Sequence, residues 1–404
     1  MWTHYIFIIC LITTIGAQLT DIERYLLILN GQTDTATKTP VRPNGKSCES
    51  DDVQGFCVKR TDCYLDAPKV DPATSFIPRE GTIGGADSIS FSSKVKEGCD
   101  WLKVCCPKDK ILAEPKTVKH QKTLGCGYSN PGANVFREQT NAYAYADFGD
   151  FPWMVALMLK KNNSAKKFDD EYRGGGSLIH PSVVITAAHK VDDITNPSDL
   201  RCRAGEWDTN TEDEFYKHQD RDVKKIVIHN QYLRAHLHND VALLILESPI
   251  ELENSPHIGV ACLEPHLPPP GTSCYSMGWG EDFMKATRYA VVLKKIKLDL
   301  VDGNKCQNQY RNSKLGRGYK LDLSLTCAGG EANVDTCVGD GGSSLVCPIQ
   351  DKNNLRYSVV GMVAYGLECG TGNLPGVYVK IPQIYDWVVT EMTLQGFNKS
   401  SFVY

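Results

Sequence analysis

Sixteen cysteines in a chain of 404 residues constrain the fold more than any other feature of the sequence. In a reducing compartment so many thiols need a metal or redox explanation, whereas in a secreted chain they read as disulfides. The N-terminus favours the second reading. After Trp2 to Tyr5 comes the apolar run Ile6-Phe7-Ile8-Ile9-Cys10-Leu11-Ile12, then small Gly16 and Ala17 before polar Gln18. That is the apolar region and cleavage site of a signal peptide, lacking only a charged start beyond the amino terminus and His4. The alternative is a membrane anchor, but a span takes about 20 apolar residues, more than this run or any later segment offers. Residues 1–17 are therefore expected to be removed, Cys10 with them, leaving a secreted chain outside the membrane. In that compartment the Asn-x-Ser sequons at Asn162 and Asn398 become glycosylation sites. Lys plus Arg number 44 against 48 Asp plus Glu, a formal net charge of −4 that gives no support to nucleic-acid binding.

The length suggests two or three domains, and the cysteines divide them. Residues 18–47 form a leader, with Thr, Asp and Pro in Thr33 to Pro43 and little to bury. Residues 48–106 hold six cysteines, Cys48, Cys57, Cys63, Cys99, Cys105 and Cys106. A module this small needs disulfides in place of a large core. Zinc is the rival, but there is no CxxC knuckle or histidine pair. The adjacent Cys105 and Cys106 must each reach back into the module, and spacing alone leaves the connectivity open. Residues 107–125, Lys-rich with Pro107 and Pro115, read as a linker. From Cys126 to the C-terminus, short apolar runs alternate with Gly, Pro, Asn and Asp clusters. Met154–Leu159, Val183–Thr186, Val241–Leu246 and Ser358–Val363 are expected strands of an all-β domain. One helix is expected near the end, where Ile384, Trp387, Val388 and Met392 share a face after Pro382.

The cysteine module, ending in Cys105-Cys106-Pro107 ahead of the larger domain, resembles the clip domain of arthropod secreted protease cascades. The resemblance implies the pairs Cys48–Cys105, Cys57–Cys99 and Cys63–Cys106. The stretch between Cys63 and Cys99 is long for that family and carries Pro68, Pro72, Pro78, Gly81, Gly84 and Gly85, as an exposed loop would. Arg79-Glu80 lies within it, either as a cleavage site for a trypsin-like enzyme or as an ordinary solvated arginine.

Three segments of the larger domain carry its chemistry. They are Gly175-Gly176-Ser177 through Ala187-Ala188-His189, then Asn239-Asp240-Val241-Ala242-Leu243-Leu244, then Asp335-Thr336-Cys337-Val338-Gly339-Asp340-Gly341-Gly342-Ser343-Ser344. With Phe151-Pro152-Trp153, Gly278-Trp279-Gly280 and Pro375-Gly376-Val377-Tyr378, they make residues 126–393 resemble the chymotrypsin-like serine proteases. The implied fold is a double antiparallel β-barrel with a C-terminal helix. In such enzymes a serine attacks the carbonyl, a histidine takes its proton and a buried aspartate orients the histidine. His189 and Asp240 match base and orienter. Where the family has Gly-Asp-Ser-Gly-Gly-Pro, this chain has Gly339-Asp340-Gly341-Gly342-Ser343-Ser344, and the Cys337 to Cys347 spacing is the family's. Gly341 thus falls on the nucleophile, leaving a remnant without an attacking group.

Ser343 and Ser344 cannot substitute. A nucleophile must lie within about 3 Å of the base, and a misplacement of about 1 Å already costs about 100-fold. A second departure agrees with the first. The family's activated start is an Ile-Val-Gly-Gly amine that pairs with the aspartate beside the nucleophile. Here the corresponding region reads Glu138-Gln139-Thr140-Asn141-Ala142, without a basic residue before the cut, so Asp340 needs another partner.

The specificity pocket looks better kept. By resemblance Asp335 marks preference for Arg or Lys, Gly366 and Gly376 leave the pocket open, and Tyr365 lies beside them; the pocket either binds a cationic side chain or is inherited empty. The resemblance also implies Cys126–Cys262, Cys274–Cys347, Cys306–Cys327 and Cys337–Cys369. The family's disulfide beside the histidine is lost on both sides, at Gly174 and Lys190. Cys202 is left over, as a buried thiol or an intermolecular link. The acidic stretch Gly205 to Glu214 falls on the family's calcium loop. Glu206, Asp208 and Glu214 are expected to bind Ca2+ there or to form a solvated acidic turn.

Taken whole, the chain resembles the clip-domain serine protease homologues of insects, the non-catalytic members of immune cascades. That implies a secreted, haemolymph cofactor or adaptor in prophenoloxidase activation and melanisation, cut at Arg79 by an upstream trypsin-like protease. Its partners would be prophenoloxidase or its activating protease, with homo-oligomers after cleavage. The alternatives are a pathogen-recognition or adhesion protein and an active trypsin-like endopeptidase.

Overall fold

The computed structural model describes residues 46–50, 53–59, 103–108, 111, 125–129, 146, 148–160, 171–209, 214, 216–281, 290, 292–331, 336, 339–349, 356–367 and 372–404. Met1–Val58 and Asp62–Pro115 form one compact unit, and Lys116–Tyr404 with Lys59–Thr61 another.

In the first unit β1 (Ser47–Ser50), β2 (Val53–Lys59) and β3 (Lys103–Pro107) make a three-stranded sheet. Cys48 is bonded to Cys105, across Cα atoms 5.7 Å apart. Cys57 and Cys106 are buried and also disulfide-bonded, to partners outside the described residues. Gly55 lets the chain of β3 come close, because a Cβ there would overlap the carbonyl oxygen of Cys106. With so few apolar side chains to bury, the sheet relies on its sulfurs. Cys63, Cys99 and Arg79 lie outside the described residues.

The second unit holds two barrels. β4 (Met154–Leu159), β5 (Glu171–His180), β6 (Val183–Thr186), β7 (Leu200–Ala204), β8 (Gln219–Ile228) and β9 (Ala242–Leu246) close in the order β4-β5-β6-β9-β8-β7. β6 and β9 are buried along their whole length, which is why they read as unbroken apolar runs rather than alternating ones. Val155, Leu157, Leu178, Val184, Leu200 and Leu244 fill the interior.

β11 (Ser273–Gly278), β12 (Lys294–Val301), β13 (Leu325–Ala328), β14 (Ser344–Pro348), β15 (Tyr357–Tyr365) and β16 (Gly376–Lys380) form the second barrel, closed by the β15–β16 pairing. The short β10 (Cys262–Leu263) adds to β15 in parallel. β12 alternates, with Lys294, Leu298 and Leu300 buried and Lys297 and Asp299 exposed. The disulfides Cys126–Cys262, Cys274–Cys347 and Cys306–Cys327 are present in this unit. Cys202 is a free, buried thiol on β7.

The expected helix is α2 (Ile381–Leu394). Ile381, Ile384, Val388 and Met392 face the core, while Trp387 lies at the edge of that stripe with its ring 4.8 Å from His229. A further helix among the described residues, α1 (Gly303–Arg311), was not anticipated in the sequence. It starts where the Asp302 carboxylate accepts a 2.9 Å hydrogen bond from Lys305 N, and it buries only Cys306 and Tyr310. Among the described residues no helix is long and apolar enough to cross a membrane.

Candidate functional site

His189 stands in the 3-10 turn Ala188–Lys190 that follows β6, and Asp240 immediately precedes Val241 and β9. β6 and β9 pair directly, Thr186 opposite Ala242, so the two residues leave neighbouring strand ends together. Asp240 is fully buried and uses both oxygens on His189. Oδ1 accepts from the backbone N–H at 2.9 Å, and Oδ2 lies 2.7 Å from Nδ1. The ring therefore donates from Nδ1 and turns Nε2 the other way. Asn239 holds the approach: its φ is 49°, a conformation that asparagine tolerates, and its N–H donates to Ser324 Oγ at 3.0 Å.

Opposite the ring runs the loop Gly339 to Ser343. Gly342 N donates to Val363 O, Ser343 N to Asp340 O, and Gly175 N to Gly341 O, at 2.9, 3.0 and 3.0 Å. A Cβ built on Gly341 would begin 2.8 Å from His189 Nε2 and 2.9 Å from Lys190 Nζ, and would overlap Lys190 Cε. The space before the imidazole thus holds a lysine side chain, which reaches it across Gly174, where a Cβ would come within 3.0 Å of the same Cε. Ser343 and Ser344 are fully buried and face elsewhere. The Ser343 hydroxyl lies against Gly175 and Gly278, and Ser344 Oγ donates to Met277 Sδ at 3.1 Å.

Asp340 has found its other partner. One oxygen accepts from Gly280 N at 2.7 Å; the other lies 3.1 Å from the ammonium of Lys294, which also donates to Glu281 O. Both side chains are shut from water, at 1% and 7% exposure, so each charge depends on the other. Lys294 escaped the sequence reading, although it is the one charged residue among the buried positions of β12.

Of the expected pocket, Tyr365 ends β15 and shares a 2.9 Å hydroxyl contact with Tyr319, whose ring stacks on Tyr310. Burial pushes the Tyr365 hydroxyl well above its ordinary pKa. Gly366 is exposed, with open space where a Cβ would be, and Gly376 begins β16 opposite Ala328. Asp335, Cys337 and Cys369 lie outside the described residues, as does Asn162. Asn398 is exposed, and its Oδ1 accepts from Ser400 N at 2.9 Å.

Of the acidic stretch, Glu206, Asp208 and Glu214 are all buried rather than solvated, while residues 210–213 and 215 lie outside the described residues. Arg203 Nη1 and His218 Nδ1 each lie 3.3 Å from Glu206 Oε2, and Trp207 N donates to Oε1. Glu214 hydrogen-bonds to Glu206, and burial first, then that carboxyl neighbour, pushes its pKa up to about 8. Among the described residues no group of three or more His, Cys, Asp or Glu suits a metal. Arg203 is fixed in turn by a fork onto Asp220, at 2.9 and 3.1 Å.

Comparison with known proteins agrees with this geometry. The trypsin family model matches residues 143–388. Phenoloxidase-activating factor 2 of Galleria mellonella is 44% identical over 307 residues, covering 74% of this chain and 98% of that protein. Inactive CLIP domain-containing serine protease A8 of Anopheles gambiae is 35% identical, covering 74% and 79%. Inactive CLIP domain-containing serine protease A28 of the same organism is 32% identical, covering 86% and 91%.

Proposed function

The chain belongs to the trypsin family as a clip-domain serine protease homologue, and from that premise we propose that it is a secreted cofactor of prophenoloxidase activation that cleaves nothing itself. One observation carries the reading: among the described residues no hydroxyl or thiol stands before His189, where the space next to Gly341 holds Lys190. Gly341 replaces the nucleophile in this proposal, and His189 and Asp240 remain as structure. Removing the serine of a comparable triad costs about 10⁶ in turnover, which leaves no useful peptidase. The name of the Galleria relative supports the pathway, and the names of both Anopheles relatives support the loss of catalysis.

The finer parts follow from the sequence. Residues 1–17 direct secretion into the haemolymph, and Asn162 and Asn398 carry glycans. The clip module at 48–106 is cut at Arg79 by an upstream trypsin-like protease, which frees surface for prophenoloxidase, for its activating protease or for a second copy of the chain. Activation of prophenoloxidase by the purified chain, before and after limited cleavage by a trypsin-like enzyme, tests this with Arg-peptide hydrolysis read in parallel. Enhancement after cleavage with no hydrolysis is expected, and Arg79→Ala should abolish the gain. No enhancement from intact or cleaved protein would favour recognition or adhesion. Hydrolysis that survives repurification would overturn the role given to Gly341.

A further inference from the structure

We propose that Lys190 turns the vestigial cleft into a receptor for a carboxylate, specifically the C-terminal carboxylate of a peptide. The reading concerns what the cleft binds and stands whether or not the cascade role does. Its basis is an ammonium that lacks a counter-ion. Lys190 is half-buried beside His189, and among the described residues its Nζ has neither a hydrogen bond nor an ion pair. The two carboxylates that act on it are occupied: Asp340 with Lys294 and Gly280, Asp240 with both nitrogens of His189 that face it. Arg173, the nearby cation, is closed onto Asp193 by two 2.7 Å contacts. Burial and then Arg173 push the Lys190 ammonium below its ordinary pKa, so an arriving anion would relieve an existing cost.

The size and charge of that anion follow from the surroundings. One unpaired ammonium with two buried carboxylates behind it suits a monoanion and disfavours a phosphate dianion. A second donor points the same way, because the N–H of Gly341 has no acceptor among the described residues. The Gly341 Cβ position lies 2.9 Å from Lys190 Nζ, so residue 341 and the ammonium are neighbours. A carboxylate has two oxygens and can accept from an ammonium and a backbone N–H at once. Beyond it the exposed Gly366 leaves open room beside Tyr365 for the rest of an extended chain. The ligand class is thus a chain end of the kind that proteolysis creates, held without being cut.

Isothermal titration of the full secreted chain tests this with a short synthetic peptide ending in Arg, as free acid and as amide, and with acetate and inorganic phosphate. The acid is expected to bind at least about tenfold more tightly than the amide, acetate or phosphate. Lys190→Met should erase the difference between acid and amide while the melting temperature stays close to that of the parent. Equal affinity of acid and amide would overturn the proposal. So would acetate or phosphate that matches the peptide, or an acid preference that survives Lys190→Met. Should the variant fail to fold, the comparison of acid with amide on the unaltered chain decides alone.

Discussion

The two sides of the cleft have fared differently. On the first barrel, His189 and Asp240 keep the contacts that base and orienter would need, at 2.7 and 2.9 Å. On the second, Gly341 has no side chain at all, yet the loop around it keeps its backbone bonds to Gly175 and Val363. The difference follows from what each group does apart from chemistry. Asp240 is a fully buried carboxylate that ties down the backbone of His189 as well as its ring, so losing it would strand buried polar groups. A hydroxyl at 341 would hold nothing in place. Groups that double as framework outlast the reaction, and a group that serves only the reaction can be lost without structural cost.

The largest effect is expected from removing the framework around Gly341. Lys294→Met would remove the ammonium that faces Asp340, a side chain only 1% exposed, and leave the Gly280 N contact on its other oxygen. Breaking a buried ion pair by removing one partner costs about 3–5 kcal/mol. A marked fall in melting temperature is therefore expected, although the proposed function gives the loop no reaction to support. A shift as small as that of a surface substitution would mean that Asp340 is solvated, and the rule drawn from the cleft would fail.

Gly341→Ser is the converse experiment and has a smaller expected effect. The backbone there is not in the left-handed region, and the new Cβ would overlap Lys190 Cε, the flexible end of a long side chain that can swing aside. Stability should change by no more than about 1 kcal/mol, measured by thermal or denaturant melts. Arg-peptide hydrolysis should stay undetectable in this variant, because Lys190 competes for the space before His189 Nε2, and should become measurable when Lys190→Ala is added. Activity in the single variant would show that the lysine blocks nothing.

The framework was the legible part. Short apolar runs marked β4, β6, β9 and β15, and Ile384, Val388 and Met392 marked α2, because barrel strands and an amphipathic helix are written in local periodicity. α1 left no such mark, since two buried residues and one disulfide hold it. At the site, the resemblance of the motifs around His189 and Asp240 to those of the serine proteases brought the two together. The sequence registered Lys190 only as a lost cysteine, for nothing local says that its side chain runs over Gly174 toward Gly341. Lys294 could have been found as the charged residue on the inward face of β12. In the acidic loop, composition shows the carboxylates but not the guanidinium of Arg203 among them.

That loop supplies the gentlest test of the same rule, since it too keeps buried charge only where another side chain answers it. Glu214 is held protonated up to a pH of about 8, against an ordinary 4.5, by burial and by Glu206. Glu206 in turn faces Arg203, His218 and the Trp207 N–H, while Asp208 N donates to Glu214. Between those two pH values the folded chain keeps a proton that the unfolded chain releases. Stability therefore falls as pH rises through this window and levels off above it. Glu214→Gln keeps a donor toward Glu206 without a titrating proton, so its melting temperature should gain on the parent's as pH rises from 6 to 9, by about a few degrees. A constant gap across that range would mean that Glu214 is ionised in the fold.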